Sequence, residues 1–512
     1  MGNEVELKLA LDEVHQARLL RHPLLRQAGD RHVTILDNIY YDTATLALRR
    51  RGISLRLRRR GDTWLRTVKL AGSATAGLSS RPEWEQPYGG HFDFSDIEQT
   101  TLRSWLQRPE LLARILPVCE TRFRRVTWRL PAETGAVLVT LDRGWVIADG
   151  KREVISEVEL ELDGAPVQAL FRIAGELAER VSLTPAVLSK AERGYRLHSG
   201  TMPAPVKAGD IPLSPAMGPF DAFCKIALSC LEHLQQNHHG ALHTGDVEYI
   251  HQMRVATRRL RAALRLFAPA LPEALRDGLR QPIATLTRQL GQARDLDVLL
   301  GEIVDPVLNA MPGEPRLSAL AGNITELRYR VRAEVLAALA APSYGRMLLG
   351  AIEVLHPLTP PLLTTATLGE FAATRLRHLC RRLRRLATTA RVSNPASLHE
   401  LRIGIKRLRY ALEFFATLAT DRTLHRLQER LAAAQDTLGK LNDLANAGIL
   451  LSGCAGHDPG LREAVALIGG SHGARHARLL EEIADALPKL ARLRLPRLEI
   501  EAESRNSPPA LS

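Results

Sequence analysis

Cysteine is scarce in this chain. The five residues Cys119, Cys224, Cys230, Cys380 and Cys454 are scattered, odd in number and never at metal-ligand spacing. That excludes a disulfide framework and makes a reducing cytosol the expected compartment. Long apolar runs are missing: no stretch reaches the roughly 20 residues of a bilayer-spanning helix. The first residues form a charged strand rather than an apolar signal region. No membrane insertion is expected. There is no GxxxxGKS/T loop, which sets aside P-loop chemistry, and no Ser/His/Asp or Cys/His grouping suggests a protein nucleophile. Trp64, Trp84, Trp105, Trp128 and Trp145 all precede residue 150, so the later half has no tryptophan and few other aromatics. Single-stranded nucleic acid, which binds by stacking, is a disfavoured partner.

What the chain has in excess is positive charge. Its 512 residues carry a net charge of +13 and a pI near 9.9, which points to an anionic partner. The length implies more than one domain. Hydrophobic period two dominates the first 200 residues, as in Ile53-Ser54-Leu55-Arg56-Leu57-Arg58, and helical spacing dominates after about residue 220. Between them, Pro203, Pro205, Gly209, Pro212, Pro215, Gly218 and Pro219 mark a linker. The expected division is a strand domain over 1–200, a linker over 201–218, a helical domain over 219–495 and a disordered tail over 496–512.

In the first domain the charges alternate along strands. Glu4, Glu6 and Lys8 share one face, with Val5 and Leu7 on the other. Arg56 and Arg58 repeat the pattern, as do Arg81, Glu83 and Glu85, then Arg122 and Arg124 around Phe123, then Glu157, Glu159 and Glu161. Lys69 and Asp142 are placed at strand ends. An open sheet with one wet face would also mix charges. Here acidic and basic positions segregate by strand, which a closed barrel with an inward charged face explains. Acids on a rigid strand suit a divalent metal, and arginine forks suit phosphate.

The ordered set Glu4-x-Glu6-x-Lys8, Tyr41-Asp42-Thr43, Arg56-x-Arg58, Lys69, Arg81-x-Glu83-x-Glu85, Asp142, Glu157-x-Glu159 and Ser189-Lys190-Ala191-Glu192-Arg193-Gly194-Tyr195 resembles a CYTH domain over residues 1–200. This family, the triphosphate tunnel metalloenzymes, includes class IV adenylate cyclases, thiamine triphosphatases and inorganic triphosphatases. The resemblance implies an α+β fold around an antiparallel, mostly eight-stranded barrel that binds a triphosphate with Mg²⁺ or Mn²⁺. It implies Glu4, Glu6, Asp142, Glu157 and Glu159 as metal-facing acids, with Glu161 as a neighbour. Lys8, Arg56, Arg58, Lys69, Arg122, Arg124 and Lys190 become the phosphate clamps, and Glu83 and Glu85 further residues of the substrate tunnel. Catalysis is expected from Glu4, Glu6, Lys8, Arg56, Arg58 and Lys69. The stretch Gly72–Gly77 is looser than the family's usual glycine-rich segment, which leaves the register of Arg81 open.

The helical half is duplicated. HQMRVATRRLRAALRLF at 251–267 and HELRIGIKRLRYALEFF at 399–415 stand 148 residues apart, and Leu290-Gly291 through Asp295-Leu296 recurs as Leu438-Gly439 through Asp443-Leu444 at the same offset. At about 100° per residue, His251, Arg254, Arg258, Arg261 and Arg265 fall within about 80° of helical arc, and His399, Arg402, Lys406 and Arg409 occupy the same arc of the second copy. Exposed helix faces usually interleave acids; this cationic stripe, present twice, asks for a polyanion. The half resembles a CHAD domain over about 218–495, which implies two pseudo-twofold helical bundles with basic faces, associated with inorganic polyphosphate. His251 and His399 are expected to contact phosphate or orient the arginines. The run Arg375, Arg377, His378, Arg381, Arg382, Arg384, Arg385 fits a channel extension or a solvated helix equally well. His238, His239 and His243 read as an incidental loop cluster.

Together these readings predict metal-dependent hydrolysis of inorganic triphosphate to pyrophosphate and phosphate, with polyphosphate held by the helical half. The alternatives are thiamine triphosphate hydrolysis, adenylate cyclisation, or a non-catalytic polyphosphate scaffold. The expected location is cytoplasmic, in association with polyphosphate granules.

Overall fold

The computed structural model describes residues 2–28, 31–70, 73–75, 77–200, 204–356, 364–419 and 423–498. Gly72 and Ala76 of the loose glycine stretch, residues 201–203 of the expected linker and residues 499–512 of the expected tail lie outside them. The chain forms two compact units, Met1–Pro205 with Ala338–Leu358, and Val206–Ala337 with Thr359–Ser512. Among the described residues no single helix is long and apolar enough to cross a membrane.

The first unit is a closed antiparallel barrel. Its strands are β1 (Gly2–Leu11), β2 (Arg31–Thr43), β3 (Ile53–Arg60), β4 (Thr63–Leu70), β5 (Ser73–Thr75), β6 (Leu78–Pro87), β7 (Ile115–Pro131), β8 (Ala136–Ala148), β9 (Lys151–Asp163) and β10 (Leu183–Pro185). Eight of them follow the order β1-β9-β8-β7-β2-β3-β4-β6, and pairing of β1 with β6 closes the ring; β5 and β10 add to β6 and β1. The register sets Lys8 opposite Glu159 and Ala10 opposite Glu157, and Glu157 opposite Asp142. Every second residue therefore points into one shared interior. Tight turns keep the register: Asp149 and Gly150, both at positive φ, join β8 to β9 as an Asp-Gly hairpin turn.

Most apolar strand residues lie on the outside of the barrel, while Phe123 packs inside it with Leu36, Val146 and Ile155. Leu7, Leu9, Leu141, Val158 and Leu160 are fully buried, and α1 (Val167–Arg180) packs on β1 and β9. On another side, Ile53, Leu55, Val68 and Trp84 form a core with Leu48, Phe94, Ile97 and Leu106. A short helix α2 (Lys190–Ser199), capped by Ser189, packs on β7, β8 and β9. Asp42 of the Tyr41-Asp42-Thr43 motif is buried, and its carboxylate accepts from the backbone N–H groups of Thr43, Leu48 and Arg49. That motif shapes the turn into β3.

The second unit is helical: α3 (Pro219–His243), α4 (Val247–Leu266), α5 (Glu273–Val298), α6 (Pro315–Ala340), then α8 (Leu368–Thr389), α9 (Pro395–Phe414), α10 (Thr423–Ala455) and α11 (Pro459–Ala491). The intervening α7 (Pro342–Val354) belongs to the first unit, although it lies inside the stretch 219–495. It packs on α1 and β10. Gly345 makes this possible, since a Cβ there would sit 1.8 Å from the Leu183 carbonyl oxygen. Helices α4 and α9 begin and end 148 residues apart and pack against each other. Residues 204–218 contain neither helix nor strand, but are pinned to this unit by Val206–Asn237 and Leu213–Thr417 hydrogen bonds. His238, His239 and His243 lie on α3 rather than in a loop.

Candidate functional site

The barrel interior holds a cavity of about 300 Å³ with 18 lining residues, 13 of them charged. Strand β1 supplies Glu4, Glu6 and Lys8, β3 supplies Arg56 and Arg58, and β4 supplies Lys69. Arg81, Glu83 and Glu85 come from β6, Arg125 from β7, Glu159 and Glu161 from β9, and Lys190 from the first residue of α2. The open register of Arg81 resolves inward.

The charges sort into two linked clusters. In one, Lys69 Nζ lies 2.7 Å from Glu4 and 3.0 Å from Glu83, while Arg81 spans Glu6 at 2.7 Å and Glu4 at 3.2 Å. In the other, Arg125 donates two bonds to Asp142 (2.7 and 2.6 Å) and one to Glu159 (2.5 Å). Lys190 Nζ meets Asp142 at 2.7 Å and Glu159 at 3.0 Å, and bonds Glu157. Lys8 links the clusters, 3.7 Å from Glu6 and 3.6 Å from Glu159. Asp142 and Glu157 sit behind the cavity surface, and Asp142 stands in mid-strand rather than at a strand end.

Two expected phosphate clamps point elsewhere. Arg122 and Arg124 lie on the outer face of β7, where Arg122 pairs with Glu120 and Asp37 and Arg124 neighbours Arg143. Arg125 takes their place inside. The reason is strand parity: Val126, Trp128 and Leu130 are buried on the outward, even-numbered side, so the odd positions face the cavity. That signal was present in the sequence as an apolar alternation.

Burial and close charges shift the titration of several tunnel groups. Burial raises the Glu159 carboxyl, but Lys190, Arg125 and Lys8 together pull it well below the usual carboxylate range. Burial, then repulsion from Arg56 and Arg125, draws the Arg58 guanidinium down to about 10. Its Nε donates to Asn38 Oδ1 at 2.9 Å. Burial and the nearby Glu4 push Glu161 up to about 7. Arg56, Arg58 and Arg125 form a cationic wall in which Arg56 lies 3.5 Å from Glu83 and Arg125 is held by Asp142 and Glu159; among the described residues Arg58 has no carboxylate within 4 Å. Asp142, Glu157 and Glu159 each offer an oxygen within 4.8 Å of the others, a donor set that fits a hard divalent cation. Glu4 and Glu6 line the same cavity but are bound to Lys69 and Arg81 instead.

The helical unit contains a second charged site, a cleft of about 1200 Å³. Its lining includes twelve arginines and lysines against four acids. Nine lining positions from Thr287 to Glu302 recur 148 residues later from Gln435 to Leu450. Both copies of the stripe reach it: His251, Arg254, Arg258, Arg261 and Arg265, with His399, Arg402 and Lys406. Arg409 does not line it and Arg407 does, because the cleft centres farther round α9 than the predicted arc. The second copy also has Glu413 where the first has Arg265, and Glu413 pairs with buried Arg259 at 2.8 Å. Of the ambiguous basic run, Arg375, His378 and Arg382 on α8 join the lining, at i, i+3 and i+7. Asp295 and its duplicate Asp443, unassigned from sequence, line the cleft beside the stripes, with Asp295 3.4 Å from Arg254. Burial, then Arg258, Arg402 and Arg254, lowers the Lys406 ammonium to about 7.

Known proteins share both halves. The CYTH domain model matches residues 2–195 and the CHAD domain model residues 225–452. An inorganic triphosphatase of Haemophilus influenzae is 30% identical over 199 residues, 39% of this chain and 56% of that protein; the chain thus spans little more than half of this curated relative. The crystal structure of the CHAD domain from the plant Ricinus communis is 34% identical, with a TM-score of 0.49, over 58% of this chain and 99% of that one. A putative adenylyl cyclase from Hippeastrum with dominant triphosphatase activity is 18% identical, with a TM-score of 0.30, over 39% of this chain and 97% of that one.

Lys190→Ala tests the acidic cluster. In the wild type, the depressed Glu159 stabilises the fold above the unfolded carboxylate pKa of about 4.3, and that contribution is lost as pH falls below it. Without Lys190, Asp142, Glu157 and Glu159 repel one another at neutral pH. The variant should melt several degrees lower at pH 7. The deficit should shrink at pH 5 or with millimolar Mn²⁺, as followed by calorimetry. A deficit independent of both pH and Mn²⁺ would contradict the cluster.

Proposed function

We propose, from the CYTH domain over residues 2–195 and the CHAD domain over residues 225–452, that the barrel hydrolyses inorganic triphosphate to pyrophosphate and orthophosphate. The observation that carries this reading is the lining of the tunnel: 13 of 18 residues are charged, and Tyr40 and Phe123 are its aromatic members. Such a lining favours a wholly inorganic, highly charged substrate over one with a thiamine or adenine moiety.

In this reading the cationic wall binds and orients. Arg56, Arg58 and Arg125 face the phosphate oxygens, where planar guanidinium forks make paired charge-assisted hydrogen bonds. Lys8, Lys69 and Lys190 supply further positive charge against the repulsion that a polyphosphate anion presents to attacking water. Asn38 fixes the Arg58 fork. The Arg49–Glu192 ion pair, with Arg49 stacked on Tyr195, anchors α2 and so positions Lys190. Gly194 lets α2 approach, since a Cβ there would meet Cys119 Sγ at 2.2 Å. Asp142, Glu157 and Glu159 would hold Mg²⁺ or Mn²⁺, with Glu4 and Glu6 as further acids of the same interior. A bound divalent ion supplies charge neutralisation and a more acidic water. One P–O–P bond breaks, water supplies the new oxygen, and the leaving pyrophosphate is held by the same cations.

The cleft of the helical unit is proposed to hold inorganic polyphosphate. Its excess of eight cations, counting the histidines as neutral, exceeds what one triphosphate neutralises, so longer chains should bind more tightly.

Arg58→Ala should lower kcat/KM for phosphate release from triphosphate with Mg²⁺ or Mn²⁺ by about 100-fold or more, with an unchanged melting profile. Arg122→Ala should stay within about twofold. Undiminished turnover in Arg58→Ala would remove the assigned site. Polyphosphate binding to the cleft should raise the Lys406 pKa above its free value of about 7. Binding at pH 8 should therefore take up protons, and affinity should fall from pH 7 to 9; calorimetry in buffers of different ionisation enthalpy reads the uptake. Lys406→Arg should abolish it. Equal uptake in wild type and variant would contradict the placement.

A further inference from the structure

The first unit carries a third cationic feature that the tunnel does not use. Arg18, Arg21, His22, Pro23, Glu179 and Arg180 line a shallow cavity of about 520 Å³ and share no residue with the tunnel lining. Its walls are the turn between two short helices, Gln16–Leu20 and Pro23–Gln27, and the last turn of α1. His22 is only 4% exposed. Neither ring nitrogen reaches a partner at hydrogen-bond geometry, and the Glu176 backbone interacts with the ring only weakly. A buried polar group left in that state is costly.

The arginines are underused as well. Arg18 Nη1 donates to the Arg180 carbonyl oxygen at 3.4 Å and Arg21 Nε to the Ala17 carbonyl oxygen at 3.1 Å. Among the described residues, none of the three guanidiniums has a carboxylate within 4 Å. Glu179 stands in the lining as the single acid against three fixed cations. Burial, then Arg180, lowers the His22 imidazolium, while Glu176 and Glu179 act weakly in the opposite sense. A phosphate-type oxyanion in the cavity would meet the exposed guanidiniums above the buried His22 ring. Its oxygens accept from several guanidinium N–H groups, and its charge offsets the three arginines.

We propose that Arg18, Arg21, His22 and Arg180 form an oxyanion site on the barrel unit, separate from the tunnel, that binds a phosphate group. The group comes either from free orthophosphate or from the end of a longer phosphate chain. The site does not depend on the tunnel's proposed activity.

The test uses the full chain with ¹³C-labelled histidine. Its His22 ring resonance is assigned by its disappearance in His22→Asn. Titration with orthophosphate, and separately with triphosphate at pH 7 without divalent metal, should shift this resonance saturably. A plateau reached at similar concentrations of both identifies a single-phosphate site. Saturation at about tenfold lower triphosphate identifies a chain-end site. The Arg18→Ala/Arg21→Ala/Arg180→Ala variant changes exposed side chains only, so it should keep the wild-type melting profile and turnover. In it, the His22 response should need at least about tenfold more of either anion. A His22 resonance that neither anion moves, or that moves alike in wild type and variant, overturns the proposal.

Discussion

Closing eight strands into a ring forces every second side chain into an interior that water reaches only along the tunnel. In this barrel most of the side chains that line the tunnel are charged. Removing a carboxylate or an ammonium from water costs several kcal/mol unless it is paired and hydrogen-bonded. The structure meets that constraint locally: Lys69 and Arg81 hold Glu4, Glu6 and Glu83, while Arg125 and Lys190 hold Asp142, Glu157 and Glu159. The hydrophobic effect then works from the outside. Leu7, Leu9, Leu141, Val158 and Leu160 are buried on the outward faces, which is why α1 is needed around the ring. Function and stability thus occupy opposite faces of the same strands, one residue apart.

The same constraint explains what was readable in advance. Period-two alternation in Glu4-Val5-Glu6-Leu7-Lys8 and in Glu157 to Leu162 gives both the strand and its inward face, so the barrel and most of its lining were legible. Parity failed at Arg122 and Arg124, where three arginines crowd within four residues and the deciding pattern lies downstream at Val126, Trp128 and Leu130. Asp142 was placed at a strand end because Arg143 and Gly144 interrupt the apolar alternation; the ladder with Glu157 carries the strand on to Ala148. In the helical unit, the duplication and the cationic stripes were legible from spacing alone. The inclusion of Arg375, His378 and Arg382, and the exclusion of Arg409, depend on how helices pack around the cleft, which one helix's periodicity does not contain.

The two charged cavities differ in their balance of charge. In the tunnel, cations and acids nearly balance, seven against six along the lining, so the proposed triphosphate would exchange internal ion pairs for its own contacts. Such a site favours a ligand that arrives with a metal to occupy the released acids. In the cleft, cations exceed acids threefold, and Lys406, Arg254 and Arg402 are lowered by burial first and then by neighbouring cations, Arg258 among them in each case. There, in the proposed reading, a polyanion would supply counter-charge with fewer internal ion pairs to exchange. The first arrangement suits selective turnover and the second suits retention of a long polyanion.

In the proposed reading the tunnel binds a metal on Asp142, Glu157 and Glu159 and a triphosphate on Arg56, Arg58 and Arg125. A crystal structure with Mn²⁺ and triphosphate, collected at the manganese absorption edge, measures it directly. The account predicts an anomalous peak within ligand distance of those three carboxylates, Lys190 turned from them toward phosphate, and phosphate oxygens on Arg58 and Arg125. Triphosphate bound with the Lys190 ion pairs intact and manganese elsewhere would contradict it.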